Sequence, residues 1–382
     1  MEEILKIRNK IKIVKSKKER NPGIDIIRLI GMYGVIINHI LYIHGGANKY
    51  PKYSKYLKLL HIATGWHING FALISGIVGY KSYKYYNLLY LWMNLVFYSF
   101  AIYLYFCLFR KKDIITEDIS KYFYPIIIRR YWYFTSYFGM YLFLPIINKG
   151  IEFLTQNEFK IVVISTISLF VFWKDIKNPT MDVFGFNGGS SLIWLLTYFL
   201  TGAYIGKYKK DYFGCKKYIF CAISINCYIT STYIYFKLYL NARYSRNSYI
   251  VNIFKQMCTD RYDGVIKVIQ SIAITSFFLQ IKYNKYVTKI LSFLGPLSFG
   301  IYLIHENRIV KKHILKYLFL NEPDNISLNS AIILVLLKAL KIFIICIVID
   351  YFRLLLFDFL RIRKVCIFLD LIIRKLLKNI PF

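Results

Sequence analysis

One apolar segment of the chain carries residues whose side chains are suited to acid–base chemistry and anion binding. Residues 24–43 are mostly Ile, Leu, Met, Val, Gly and Tyr, yet they include Asp25, Arg28, Asn38 and His39. Histidine titrates near working pH and can act as a general base. A guanidinium can hold a phosphate through paired hydrogen bonds. The segment therefore predicts either a catalytic site or a substrate or proton path within a membrane.

Helical spacing puts three of these residues on one stripe. Arg28 and His39 are eleven steps apart, about three turns plus 20°, so they share a face roughly 16 Å apart along the axis. Asp25 precedes Arg28 by three residues and is its neighbour on that face. Two roles for Asp25 stay open: it either orients Arg28 for a ligand or neutralises an arginine that only anchors the helix.

A second apolar segment, 62–80, adds polar residues and glycines. Asn69 and Ser75 could belong to the site or could simply form hydrogen bonds between helices. Small residues let two helices approach closely in a membrane. We expect the glycines of this segment to pack against the first segment. They are Gly70, Gly76 and Gly79.

Three consecutive polar residues end a later apolar segment. These are His305, Glu306 and Asn307. Three polar groups in a row favour the mouth of a cavity over contact with lipid, and they are candidates for support or substrate binding. The alternative for Glu306 is an ion pair with Arg308 or with a lysine.

The composition is typical of an all-α, polytopic transmembrane helical bundle. Hydrophobic residues make up 57% of the 382 residues, and apolar runs recur near the ~20 residues that a helix needs to cross a bilayer. The pattern predicts about ten spans within a membrane domain at 23–352. Their expected limits are 24–43, 62–80, 88–109, 131–148, 158–173, 190–207, 217–238, 263–281, 289–307 and 329–352.

The net charge of +32 is spread along the chain. It favours binding to membrane lipids and excludes nucleic acid as a partner, because apolar spans interrupt the basic residues. A basic N-terminal tail (1–22) and a basic C-terminal segment (353–382) are expected on the cytoplasmic side. The C-terminal segment reads as an amphipathic helix on the membrane surface. Seven cysteines without a CxxC pair, and histidines without tight spacing, predict neither a disulfide scaffold nor a metal site.

Five blocks of the sequence resemble, in order, those of the acyltransferase family 3 membrane enzymes, in particular members that modify polysaccharides. The first block has an Arg, ten residues and a His, which here are Arg28 and His39. The blocks are IDIIRLIGMYGVIINHI, NGFALISGIVGYKS, YWYFTSYFGMYLFLPIINK, FGFNGGSSLIWLLTYFLTGAYIGKY and LSFGIYLIHENRIVKK.

The resemblance implies an O-acyltransferase of the plasma membrane. It would move an acyl group, usually acetyl from acetyl-CoA, to a hydroxyl of a cell-surface polysaccharide or a lipid-linked glycan. His39 would be the catalytic histidine and Arg28 its essential partner. Asn38, Asn69 or Ser75 could donate a hydrogen bond to the oxyanion.

Two other functions fit many spans with intramembrane polar groups. A transporter or glycan flippase would use Arg28 and His39 in a substrate or proton path. Such proteins are often built from internal repeats, and no convincing repeat is visible in this sequence. A glycan polymerase would need large outward loops with arginines, for which 239–262 is the only long candidate.

Overall fold

The structure is a computed structural model, and the chain ranges that it describes are helical and contain no strand. They confirm the all-α bundle. The basic tail at 1–20 and much of the loops near 110–130 and 239–262 lie outside these ranges. The described residues are 21–81, 84–110, 125–126, 130–173, 182, 184–212, 217–244, 261–319 and 321–378.

Fifteen α-helices are described along the chain. The described helices are α1 (Pro22–Tyr42), α2 (Gly46–Lys49), α3 (Ser54–Thr64), α4 (His67–Gly79), α5 (Tyr85–Phe109), α6 (Trp132–Phe153), α7 (Gln156–Ile167), α8 (Leu192–Tyr212), α9 (Lys217–Tyr244), α10 (Val265–Gln280), α11 (Lys285–Leu294), α12 (Ser298–His305), α13 (Arg308–His313), α14 (Leu328–Phe359) and α15 (Ile362–Lys378).

Six described segments are long and apolar enough to cross a membrane. This number falls short of the ten spans expected from the sequence, so that count is not confirmed. One further apolar helix, α10, is shorter. The six segments are Pro22–Tyr42, Pro51–Gly79, Tyr85–Phe109, Tyr218–Asn241, Lys285–His305 and Leu328–Phe359.

Helix α1 occupies the centre of the bundle, in contact with α3, α4, α10, α12 and α14. Asn21 fixes its start, because the side-chain oxygen accepts a hydrogen bond from the backbone N–H of Gly23 at 2.9 Å. The Asn21 amide also donates to the backbone oxygen of Leu279 at the end of α10. Pro22 suits the first helical position, where no intrahelical N–H bond is lost. The polar stripe of α1 is thus held inside the protein, away from lipid.

Gly76 and Gly79 of α4 pack against α8, which corrects the expectation that they face α1, whereas Gly70 does lie near Ile27 of α1. A Cβ on Gly76 would lie 2.0 Å from the carbonyl oxygen of Phe199, and one on Gly202 would lie 2.0 Å from that of Leu73. Helix α1 meets α4 through a glycine of its own, Gly31, whose added Cβ would lie 3.1 Å from the Phe71 ring. The sequence identified the close approach but not the partner helix.

Helix α14 continues beyond the expected limit of 352 and carries a buried ion pair near its end. Arg353 Nη2 lies 2.7 Å from Asp350 Oδ2, and Tyr98 of α5 donates a hydrogen bond of 2.6 Å to Asp350 Oδ1. Arg361, with a φ of 53°, marks the break before α15. Helix α15 packs against α5, burying Cys366 and exposing other apolar side chains such as Phe368.

Candidate active site

A cavity of about 280 Å³ lies within the bundle between α1, α4, α6 and the segment from Gly295 to Glu306. Both Arg28 and His39 line its wall. Concave sites of roughly this size, mostly apolar with a few polar groups, are typical of small-molecule sites. The shared stripe expected from helical spacing therefore faces one enclosed space.

The two ends of the cavity differ chemically, because different side chains surround Arg28 and His39. Ser75 of α4 and Tyr137 of α6 lie near Arg28, and Tyr137 interacts with both of them. At the other end, Glu306 lies beside His39. An anion-binding group and an imidazole are thus separated along one cavity.

His39 forms an ion-pair contact with Glu306. The distance from His39 Nδ1 to Glu306 Oε1 is 2.8 Å, and the Glu306 side chain is only 7% exposed. Lys311 Nζ lies 3.1 Å from the other carboxylate oxygen, Oε2. A carboxylate that accepts from Nδ1–H leaves the lone pair of a neutral imidazole on Nε2. A carboxylate in this position is compatible with a histidine that accepts a proton at Nε2.

Glu306 remains ionised in this setting. Burial by itself raises the pKa of the Glu306 carboxyl, but the interactions with His39 and Lys311 outweigh it and hold the pKa below its usual range. The alternative considered for Glu306, an ion pair with a lysine, is present with Lys311 in addition to the contact with His39. An ionised carboxylate can stabilise the positive charge that His39 acquires when it takes a proton.

His305 packs beside His39, with ring centroids 5.3 Å apart. Its Nδ1 lies 2.6 Å from the backbone oxygen of Ile301, and its buried Nε2 has no hydrogen-bond partner among the described residues. One ligand atom each from His39, His305 and Glu306 lie within 4.8 Å of one another, so this group could hold a metal ion. The ammonium of Lys311 on the same carboxylate already supplies a positive charge there, which disfavours a second cation. The contact of Lys311 with Glu306 therefore favours a His–Glu pair over a metal ion at this group.

Asp25 is fully buried and forms an ion pair with Arg28. Arg28 Nη1 lies 3.2 Å from Asp25 Oδ1, and 30% of the Arg28 side chain is exposed. The carboxylate fits there because residue 295 is glycine, where an added Cβ would lie 2.3 Å from Asp25 Oδ1. The pair is therefore built into the contact between α1 and the segment before α12. Arg28 is accessible from the cavity while Asp25 is enclosed.

Asn38 does not line the cavity, and it belongs to a hydrogen-bond network that reaches the cavity wall only at His67. Its amide donates to His67 Nε2 at 2.9 Å, and its oxygen accepts from His61 Nδ1 and Thr64 Oγ1, both at 2.9 Å. All of its polar atoms are used in joining α1 to α3 and α4. The oxyanion role considered for Asn38 thus finds no support in the geometry.

Asn69 and Ser75 also have partners within the protein. Asn69 donates to the backbone oxygen of Tyr262 at 2.8 Å and accepts from Trp194 Nε1 at 3.0 Å, so its amide serves positioning rather than an oxyanion. Ser75 lines the cavity but donates to the backbone oxygen of Phe71 at 2.8 Å. It lies at the Arg28 end, away from His39.

Asn307 fixes the segment that carries Glu306. Its side-chain oxygen accepts from the backbone N–H of Ile309 at 3.0 Å, which caps α13. Its amide donates to the hydroxyl of Tyr131 at 2.9 Å. Asn307 is fully buried, so we assign it to positioning of the His305–Glu306 pair.

Sequence reasoning missed His44, which lies just beyond α1. It is buried, 6% exposed, and its backbone N–H donates to the His39 carbonyl at 2.9 Å. Burial, together with the charges of His39 and Lys311, lowers the pKa of His44 to about 4. The sequence pattern around His44 does not predict its burial, because that burial results from the packing of segments distant in the sequence.

Comparisons with known proteins identify the family. No curated protein and no solved structure matches the chain. A family model described as an acyltransferase domain matches residues 21–351, which is nearly the whole chain and includes all the cavity residues described above. The chain therefore belongs to acyltransferase family 3 and is a membrane acyltransferase.

Proposed function

We propose that this protein transfers an acyl group, specifically acetyl from acetyl-CoA, to a hydroxyl of a cell-surface polysaccharide or a lipid-linked glycan. The observation that carries the proposal is the contact between His39 and Glu306 on the wall of the cavity that also holds Arg28. The proposed setting is the plasma membrane, with both basic termini in the cytoplasm and anionic lipids around them.

In the proposed reaction His39 is the general base. Its Nε2 takes the proton of the acceptor hydroxyl while the hydroxyl oxygen attacks the thioester carbonyl. The tetrahedral intermediate collapses, the C–S bond breaks, and the CoA sulfur leaves with the proton that His39 returns. The carboxylate of Glu306 stabilises the imidazolium in between and keeps the ring in the correct tautomer.

Arg28 would bind the acidic part of the donor. A guanidinium forms paired hydrogen bonds with phosphate oxygens, and Arg28 is accessible at the cavity end opposite His39. The roughly 16 Å between the two residues along α1 leaves room for the extended arm of CoA. In this proposal Asp25 orients Arg28, because the carboxylate is enclosed while the guanidinium faces the cavity.

A direct test uses membranes that contain the full chain and radiolabelled acetyl-CoA. We expect label to appear in the glycan fraction with the wild type and to fall to background with His39→Ala. His313→Ala is the matched control, because His313 is a histidine of the same region that does not line the cavity. Equal labelling by the wild type and His39→Ala would contradict the mechanism, and absence of transfer by the wild type would contradict the function.

A further inference from the structure

Five aromatic side chains form a continuous wall on one side of the cavity. Neighbouring ring centroids along this aromatic wall are 6.3, 5.7, 6.0 and 6.2 Å apart, and every member lines the cavity. One end of the wall packs on His305, whose ring centroid is 5.3 Å from that of His39. The other end is bonded to Asn38, the residue before His39. Its members in order are Tyr302, Tyr133, Trp132, Tyr262 and His67.

Two members of the wall are arranged to receive a ligand. Trp132 and Tyr262 have nearly parallel rings, 17° apart, and both are half-buried. Tyr302 and His67, by contrast, are covered by protein, with 7% and 2% exposure. The accessible ring surface therefore belongs to the middle of the wall, where Trp132 faces Tyr262.

The backbone of Tyr262 is fixed from several directions. Its N–H donates to the carbonyl of Gly188 at 2.9 Å, and its carbonyl accepts from the Asn69 amide at 2.8 Å. Gly189 makes room for it, because a Cβ there would lie 2.7 Å from the Tyr262 Cβ. The Asn69 amide is itself held by Trp194. A partly exposed ring with so rigid a support is suited to binding, because little conformational freedom is lost when a ligand packs on it.

The position of these rings identifies the class of ligand. Tyr262 packs beside His67, which is bonded to Asn38, the residue before His39, whereas Tyr137, farther along α6 than Trp132, lies near Arg28. The two rings are thus on the side of His39, where an acceptor has to place its hydroxyl. A sugar ring has apolar C–H faces that pack on aromatic rings and hydroxyls at its edge that can reach a base. Resting on the proposed function, we propose that Trp132 and Tyr262 form the subsite for the acceptor sugar, with Asn69 as a positioning residue for Tyr262.

The test measures transfer kinetics with the full chain in lipid nanodiscs. The acceptors are methyl glycosides of glucose, galactose and N-acetylglucosamine, and 1,2-propanediol serves as a hydroxyl acceptor without a ring. For Trp132→Ala and Tyr262→Ala we expect KM for the accepted glycoside to rise about tenfold. KM for acetyl-CoA and transfer to propanediol should stay within about twofold. Tyr262→Phe, which keeps the ring, should have a lower glycoside KM than Tyr262→Ala.

Trp92→Ala is the matched control, because Trp92 is an exposed tryptophan of α5 that does not line the cavity. An unchanged glycoside KM in both alanine variants would overturn the subsite, as would equal losses with glycoside and propanediol. Transfer by the wild type to propanediol but to none of the glycosides would also overturn it. Absence of transfer to any acceptor would instead contradict the proposed function.

A second measurement needs no variant and so does not depend on folding. Oxidation of Trp132 in the wild type by N-bromosuccinimide can be followed by mass spectrometry of its peptide. We expect the accepted glycoside to protect Trp132, and propanediol at the same concentration to leave it reactive. Equal oxidation with and without the glycoside would overturn the subsite.

Discussion

His39 Nδ1 lies 2.8 Å from Glu306 Oε1, although the two residues are far apart in the sequence. The contact joins the central helix α1 to the end of α12, and Lys311 balances the second oxygen of the carboxylate. A histidine held in this way has a defined tautomer and a partner for its charged form. The pair is therefore the feature of the cavity from which catalytic predictions follow most directly.

Glu306→Gln should impair turnover while leaving donor binding intact. The amide keeps the shape of the side chain but cannot stabilise the imidazolium, so we expect kcat to fall about 10²- to 10⁴-fold. KM for acetyl-CoA should change little, because Glu306 is at the far end from Arg28. The control is Glu322→Gln, which removes a carboxylate paired with Lys338 outside the cavity. Similar kcat values for Glu306→Gln and the wild type would contradict the His–Glu pair.

Arg28→Lys should weaken binding of acetyl-CoA. Lysine keeps the charge but loses the planar, paired hydrogen bonds of the guanidinium, so we expect the dissociation constant to rise about tenfold. Isothermal titration with the purified protein measures this directly. Arg374→Lys on α15 is the control, because that arginine is 46% exposed and pairs with Asp370 away from the cavity. Unchanged affinity in Arg28→Lys would mean that Asp25 only neutralises Arg28.

Gly295→Ala should destabilise the protein and disturb the Asp25–Arg28 pair. The added methyl would lie 2.3 Å from Asp25 Oδ1, and overpacking of this kind typically costs about 1–3 kcal/mol. Gly150→Ala is the matched control within a helix, since nothing lies within 4 Å of its Cβ position. Alanine there should stabilise by about 0.5–1 kcal/mol. Melting temperatures in the same detergent compare the two, and equal shifts would contradict the tight contact at Gly295.

His44→Asn should reduce the sensitivity of the protein to acid. His44 has a pKa of about 4 in the folded protein, lowered by burial, against ~6.5 when unfolded. Above pH 6.5 the His44 imidazole is neutral in both the folded and the unfolded protein. As the pH falls towards 4, it becomes protonated only in the unfolded protein. This costs about 2 kcal/mol of stability at pH 5. The melting temperature of the wild type should therefore drop more between pH 7 and pH 5 than that of His44→Asn, and parallel curves would contradict the prediction.

The sequence predicted the features that follow from local chemistry. Apolar runs of membrane-spanning length gave the all-α bundle, although six rather than ten segments meet the criteria of length and composition in the described chain. The helical repeat fixed the side of α1 on which Arg28 and His39 lie, because the geometry of a helix does not depend on what surrounds it. The blocks around them also indicated the family before any comparison.

Only the tertiary structure decided which partner each polar residue has. Glu306 could equally have paired with Arg308, yet packing places it against His39. Asn69 could have faced the cavity, yet packing joins it to Tyr262. Gly76 and Gly79 of α4 likewise pack against α8, because a small residue permits close approach without specifying the helix that approaches. Spacing along one helix determines the face of a side chain, whereas its partner is set by helices far away in the sequence.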